Sequence, residues 1–173
     1  MVYAAFVIAI RALEPTEWSQ LRDLRLLALE DAPGAFGAKY PDAVQRSEHE
    51  WRAMITDPTR HAFGLFDAER LVGITGVLTA SEDPSGQTAM LVMSYIVREY
   101  RRRGLSRLLY EARLAWIEAQ PQFTRIVVSH RASNEASRRA NQQHGFIATG
   151  QITPRVWPDG VTEDEVFYEL RLR

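Results

Sequence analysis

The stretch "TAMLVMSYIVREYRRRGLSRLLYEARLAWIEA", residues 88–119, constrains the fold more than any other. It opens on a nearly continuous apolar run, the pattern of a strand buried on both faces and therefore central in its sheet. It closes on Leu105, Leu108, Leu109, Ala112, Ala115, Trp116 and Ala119, three or four residues apart, which predicts an amphipathic helix from Gly104 to Ala119 that Pro121 ends. Between them, residues 98–113 carry Arg98, Arg101, Arg102, Arg103, Arg107 and Arg113 against only Glu99 and Glu111.

That charge sits where a helix begins. A helix N-terminus presents unpaired N–H groups and about half a positive charge, so it attracts anions. Cations gathered there are each unfavourable by roughly a few tenths of a kcal/mol unless an anion joins them. A solvated basic face is the plain reading of such a run, and a polyanionic ligand is the economical reading of its position. Gly104 permits turn angles and a close ligand approach that a β-carbon obstructs, and Ser106 is also small. The stretch is neither a Walker A loop nor a G-x-G-x-x-G dinucleotide fingerprint, which weakens NTPase and nicotinamide readings.

The rest of the chain supports one globular unit, residues 1–173, without internal repeat or linker. "AAFVIAI" reads as a buried first strand, because no basic region precedes it and no cleavage site follows. A helix with Leu21, Leu24, Leu27 and Ala28 on its stripe follows, with Thr16 as N-cap and Pro33-Gly34 as stop. A second helix starts at Ser47, where Ser47 and Glu50 form a capping box, and ends before Asp57-Pro58. Ala62 to Phe66 and Leu71 to Leu78 make a hairpin about Asp67 to Arg70. Beyond the central unit come the strand "TRIVVSH", a short helix capped by Ser133 or Asn134, the stop "HGF", and two strands joined through "WPDG". This order predicts an α/β (α+β) fold: a mixed, mostly antiparallel sheet of seven or so strands with helices on both faces.

Composition removes several functions. The absence of cysteine excludes disulfides, thiolate metal sites and a cysteine nucleophile, and points to a reducing compartment, the cytoplasm by default. With 21 basic and 22 acidic residues the net charge is -1, which argues against general affinity for nucleic acid or anionic membranes. No apolar run reaches membrane-spanning length. No pair of histidines with a carboxylate has metal-ligand spacing, so no metal is expected.

"VREYRRRGLSRLLYEA" resembles the acyl-CoA-binding motif of the GNAT superfamily of N-acetyltransferases, Q/R-x-x-G-x-G/A, which stands here as Arg101, Arg102, Arg103, Gly104, Leu105 and Ser106. "SNEASRRANQQHGF" resembles the family's second signature, an Asn followed by a helix and Gly-Phe. The early "WSQLRDLRLLALEDAPGAFG" and late "WPDGVTEDEVFYEL" extend the likeness over most of the chain. The resemblance implies acetyl-CoA or another acyl-CoA as donor and splayed central strands. By it, the N–H groups from Arg102 to Ser106 cradle the pyrophosphate, with arginine side chains near the 3'-phosphate. The pantetheine arm runs along Tyr95, Ile96 and Val97 where that strand parts from "TRIVVSH". Asn134 bonds the cofactor, and an N–H of the first strand polarises the thioester. Transfer is direct, from donor to a primary amine of a small molecule, amino acid or protein, with no covalent enzyme intermediate, and homodimers through terminal strands are common.

One departure matters. Many family members place a Tyr seven residues after the Asn as acid for the leaving thiol, and this chain has Asn141 there. Asn donates a hydrogen bond but delivers no proton. That feature motivates a rival reading, an acyl-CoA sensor without efficient turnover; an RNA-associated protein is a third, disfavoured by the net charge. His130, at a strand end beside the gap, is the candidate base, against the plain reading of a hydrogen-bonded strand-end histidine. Tyr95 and Tyr168 line the acceptor site or pack the sheet, with packing favoured. Glu163, Asp164 and Glu165 either attract a cationic amine or form a solvated turn. His144 reads as a helix-terminal cation, Trp51, Trp116 and Phe63 as core, and the acceptor itself is not legible.

Overall fold

The computed structural model describes residues 7–172. Seven strands form one sheet: β1 (Ile8–Ala12), β2 (Arg60–Asp67), β3 (Arg70–Thr79), β4 (Thr88–Ile96), β5 (Arg125–Arg131), β6 (Ile147–Val156) and β7 (Thr162–Arg171). Five helices join them: α1 (Trp18–Asp31), α2 (Tyr40–Ala43), α3 (Glu48–Thr56), α4 (Ser106–Glu118) and α5 (Glu135–Gln143). The strand order is β1-β2-β3-β4-β5-β7-β6, antiparallel throughout except for β4 and β5. The mixed, mostly antiparallel sheet is the one expected, and β4 takes its centre. The expected start of the first strand before Val7 lies outside the described residues.

Helices cover both faces of the first half of the sheet. Residues Ala62 to Phe66 of β2 and Val72 to Val77 of β3 are buried without a break. Since successive strand side chains point to opposite faces, such runs require cover on each. Ile74 packs in one cluster with Leu21, Ala28 and Leu29 of α1, while Val77, three residues on and therefore on the other face, packs with Tyr110 and Ile117 of α4. Each such fully buried aliphatic side chain stabilises the fold by about 1.5–3 kcal/mol.

Local signals explain most boundaries. The capping box closes at the N-terminus of α3: the Glu50 N–H donates to Ser47 Oγ, and the Ser47 N–H donates to Glu50 Oε2. Asn134 caps α5 through a bond from the Ser137 N–H, and Gly145, with φ +84°, stops it.

Four details differ from the sequence expectation. Thr16 does not cap α1; it lies within a single 3₁₀ turn, Pro15–Glu17, that leads into the helix. Leu27 is 45 % exposed, because Leu21, Leu24 and Ala28 fix the buried face and Leu27 falls one helical step off it. In α4 the buried face runs through Leu109, Tyr110, Arg113 and Ile117, which leaves Ala115 and Ala119 exposed and Trp116 half-buried. Finally, the acidic run belongs to β7 instead of a turn.

Candidate active site

β4 and β5 are paired only through Thr88–Arg125, Ala89–Ile126 and Met90–Val127. Beyond Met90 the two parallel strands part. The cause lies on the other edge of β4, where Ile74 faces Tyr95 but Gly76 faces Val92, so Met93 and Ser94 together oppose Thr75. This is a β-bulge, and Met93 adopts φ +64° within it. Thr75 holds the bulge by hydroxyl contact with Ser94 Oγ at 2.9 Å. A bulge bends its strand and leaves the extra residue off the ladder. β4 is thereby turned from β5 with one edge open.

At the far end of β4 a short turn, Arg98–Tyr100, leads into the glycine loop before α4. Arg102 has φ +62° and Gly104 φ +73°, so two left-handed residues curl the backbone just ahead of a helix start. For a residue with a β-carbon such as Arg102 that conformation costs about 1–2 kcal/mol. The N–H groups of Arg102, Gly104, Leu105 and Ser106 make no hydrogen bond among the described residues. Unpaired N–H groups in such a curl form an anion-binding concavity, reinforced by the helix dipole.

The arginines around this loop do different jobs. Arg101 donates from Nε to the Ile96 carbonyl at 2.7 Å and from Nη2 to Asp31 at 2.7 Å. Arg98 donates to the same carboxylate at 2.6 Å, and the Tyr95 hydroxyl adds a third bond at 3.1 Å. Arg101 and Arg98, with Tyr95, hold the Asp31 carboxyl at about 2, below the ordinary carboxylate range. Arg101 thus clamps the loop to the C-terminus of α1 and does not stand free for a phosphate. Arg103 lies over the Tyr100 ring and Arg107 pairs with Glu111. Arg102 is exposed and has no ion-pair partner among the described residues.

The split between β4 and β5 opens into a cavity of about 430 Å³. On its α4 and α5 side stand Tyr110, Arg113, Asn141 and, from β5, His130, all buried. The Tyr110 hydroxyl donates to Asn141 Oδ1 at 2.6 Å, and burial pushes its pKa up, so it is a protonated donor at neutral pH. Arg113 is 2 % exposed and its Nε donates to the Leu109 carbonyl; burial lowers its pKa to about 10, which still leaves it cationic. His130 Nδ1 lies 2.8 Å from the Arg131 carbonyl, which can only accept, so a proton sits on Nδ1 and Nε2 is the ring nitrogen left to exchange one. Arg113 Nη2, Asn141 Nδ2 and His130 Nε2 are all buried without a partner. Orphaned polar atoms on one cavity wall are costly unless a ligand completes them.

A sequence model described as the acetyltransferase (GNAT) family matches residues 18–146. The chain belongs to that family. None of the curated proteins matches the sequence, but solved GNAT structures match the fold. A GNAT acetyltransferase from Streptococcus pneumoniae superposes with a TM-score of 0.81 at 19 % identity, covering 95 % of this chain and 99 % of the other. RimL, a ribosomal L7/L12 alpha-N-protein acetyltransferase in complex with coenzyme A, gives 0.76 at 16 % identity, covering 95 % and 94 %. Arabidopsis thaliana NAA60 in complex with a bisubstrate analogue gives 0.73 at 13 % identity, covering 95 % and 98 %.

Within the GNAT fold the sequence candidates separate into groups. Arg101 to Ser106 form one loop at the start of α4, and His130 and Asn141 share the cavity wall. Tyr95, Ile96 and Val97 remain bonded to β3, past the cavity-lining residues Met90 to Ser94 of β4. Tyr95 turns its side chain to Asp31, and Tyr168 stacks on His130 at 5.2 Å, so both pack as favoured. Asn134 spends Oδ1 on its cap. His144 stacks on Tyr110 at 4.1 Å. Glu163 pairs with Arg131, and Glu165 with Arg155 and Ser129, so neither is free for an amine.

Sequence reasoning missed Tyr110 and Arg113. Both sit in the α4 stripe where apolar residues are the rule, and a tyrosine and an arginine one turn apart on that face are the available signal.

Proposed function

We propose that this GNAT acetyltransferase moves an acetyl group from acetyl-CoA directly to a primary amine, with both substrates held together in the split between β4 and β5. The observation that carries this reading is the continuity of chemistry along β4: a curl of unpaired N–H groups at its end, an open edge beside it, and a wall of unsatisfied polar atoms deeper in. These residues fit an acyl-CoA. The N–H groups of Arg102, Gly104, Leu105 and Ser106, with the Arg102 side chain, would hold its phosphates, and the β4 edge through Val97 would hold its arm.

Acetyl-CoA supplies an activated acyl carbon and a thiol leaving group. In the transfer the amine nitrogen bonds to that carbon and the carbon–sulfur bond breaks. His130 Nε2 accepts the proton the amine sheds, and sulfur takes a proton from the Tyr110 hydroxyl or from water. Asn141 keeps Tyr110 in place, and Arg113 offers a buried positive charge to the departing thiolate. Thiols titrate near about 8.5, so the Arg113 charge and the Tyr110 proton together ease release of the thiol. Holding both reactants in one cavity supplies the proximity that direct transfer needs. We read residues 1–173 as one catalytic unit of a reducing compartment such as the cytoplasm. The exposed β6 edge, with Ile147, Ile152 and Val156 at 60–65 % exposure, supports a homodimer.

Thiol release from acetyl-CoA across a panel of primary amines tests the reading. Amine-dependent release is expected; saturable CoA binding with no release on any amine would mean a sensor.

A further inference from the structure

The opposite side of the same cavity carries charge that the transfer reaction does not use. Arg25 of α1 and Arg46, from the segment between α2 and α3, both line it. Arg25 is only 8 % exposed, and its buried Nη1 has no hydrogen-bond partner. Burial, then the nearby Arg46 charge, lowers its pKa to about 10, so two cations repel each other, and among the described residues no carboxylate pairs with Arg25. The Arg46 guanidinium donates to the Met54 sulfur and lies over the Trp51 ring, with no ion-pair partner among the described residues, and Glu50, the acid that feels its charge, is tied to Ser47. Apart from Arg113, the other arginines lining the cavity are paired: Arg60 with Asp57, Arg155 with Glu165.

Cation–π contacts do not account for this arrangement. Arg25 lies 4.5 Å over Phe36, but such a contact is weaker than the desolvation of a buried charge. A buried charge is costly unless it is paired, and an anionic ligand can be the partner. The guanidinium fork suits a carboxylate or a phosphate.

We infer that the acceptor is a small amine carrying a second, anionic group, a carboxylate or phosphate, which Arg25 and Arg46 bind while the amine faces the acyl carbon. This rests on the transferase reading above and names its substrate class. A cavity of about 430 Å³ has the size of a small-molecule site. The loop after α1 lies against the far strands: a β-carbon at Gly34 would come within 2.5 Å of Arg131 and Asp159, and one at Gly37 would collide with Arg155. Phe36 and Gly37 of that loop line the cavity beside Arg25.

Matched acceptors with acetyl-CoA test it: phenylalanine against phenethylamine, histidine against histamine, O-phosphoethanolamine against ethanolamine, and an acidic peptide N-terminus against the free amino acid. The anionic member of a pair is expected to show kcat/KM about 10- to 100-fold higher, and Arg46→Gln to raise its KM and shrink that ratio. The carboxylate and phosphate pairs tell the two anions apart. Equal use of the neutral amines overturns the inference while leaving the transferase reading intact, and preference for the peptide overturns the small-molecule assignment. A readout without substrate is the melting temperature of Arg25→Met. Removing a charge kept for a ligand raises it, by about 2–4 °C, whereas a structural Arg25 gives a lower value or no folded protein and overturns the inference.

Discussion

The Tyr110 hydroxyl on α4 donates a 2.6 Å hydrogen bond to Asn141 Oδ1 on α5, and both residues face the split between β4 and β5. In the transfer proposed above, Tyr110 supplies from the earlier helix the phenol that the resemblance expects on the later one. The amide at position 141 orients it.

Tyr110→Phe therefore removes the proton donor and leaves Asn141 Oδ1 buried without a partner. The expected outcome is a fall in kcat on the order of 10²-fold, with stability lower by about 1–3 kcal/mol and CoA affinity retained. Steady-state kinetics and a urea melt measure both. An unchanged kcat would remove Tyr110 from the reaction.

Restoring the tyrosine at the later position should not simply improve the enzyme. Asn141 is 0 % exposed and packed against Tyr110, so Asn141→Tyr overfills the site and costs about 1–3 kcal/mol. Combining it with Tyr110→Ala should recover part of that loss, because the two rings compete for one space. Strictly additive effects in a double-mutant cycle would contradict the shared site.

The Asp31 clamp makes a pH prediction. The folded-state carboxyl titrates at about 2 against an ordinary 3.8, so its stabilisation is complete above pH 4 and is lost as pH falls toward 2. The difference in melting temperature between the wild type and Asp31→Asn should be constant at neutral pH and shrink across that acid window. A difference that stays flat down to pH 2 would mean that Arg98 and Arg101 do not hold Asp31 in solution.

Much of this was legible in the sequence because it rests on local rules. The capping box at Ser47, the Asn134 cap, the Gly145 stop and the charge beside Gly104 each depend on neighbours a few residues apart. The bulge at Met93 depends on Thr75, eighteen residues earlier, and nothing in "MLVMSYI" marks it. Arg101 looked free because its partner, Asp31, lies at the end of a helix seventy residues away. The Arg25 and Arg46 pair escaped for the same reason: a missing counter-ion is visible only once every carboxylate has been placed.

The central claim is that the curl from Arg102 to Ser106 is a phosphate cradle for acyl-CoA. Calorimetric titration of the wild type and Gly104→Glu with CoA, using adenosine as control, tests it most directly. A β-carbon at 104 meets nothing within 4 Å, so the glutamate strains a left-handed residue by about 1–2 kcal/mol without a clash inside the protein. Saturable CoA binding that adenosine does not reproduce, abolished in a folded Gly104→Glu protein, is the predicted result. Undiminished CoA affinity in that variant would contradict the account and place the cofactor elsewhere.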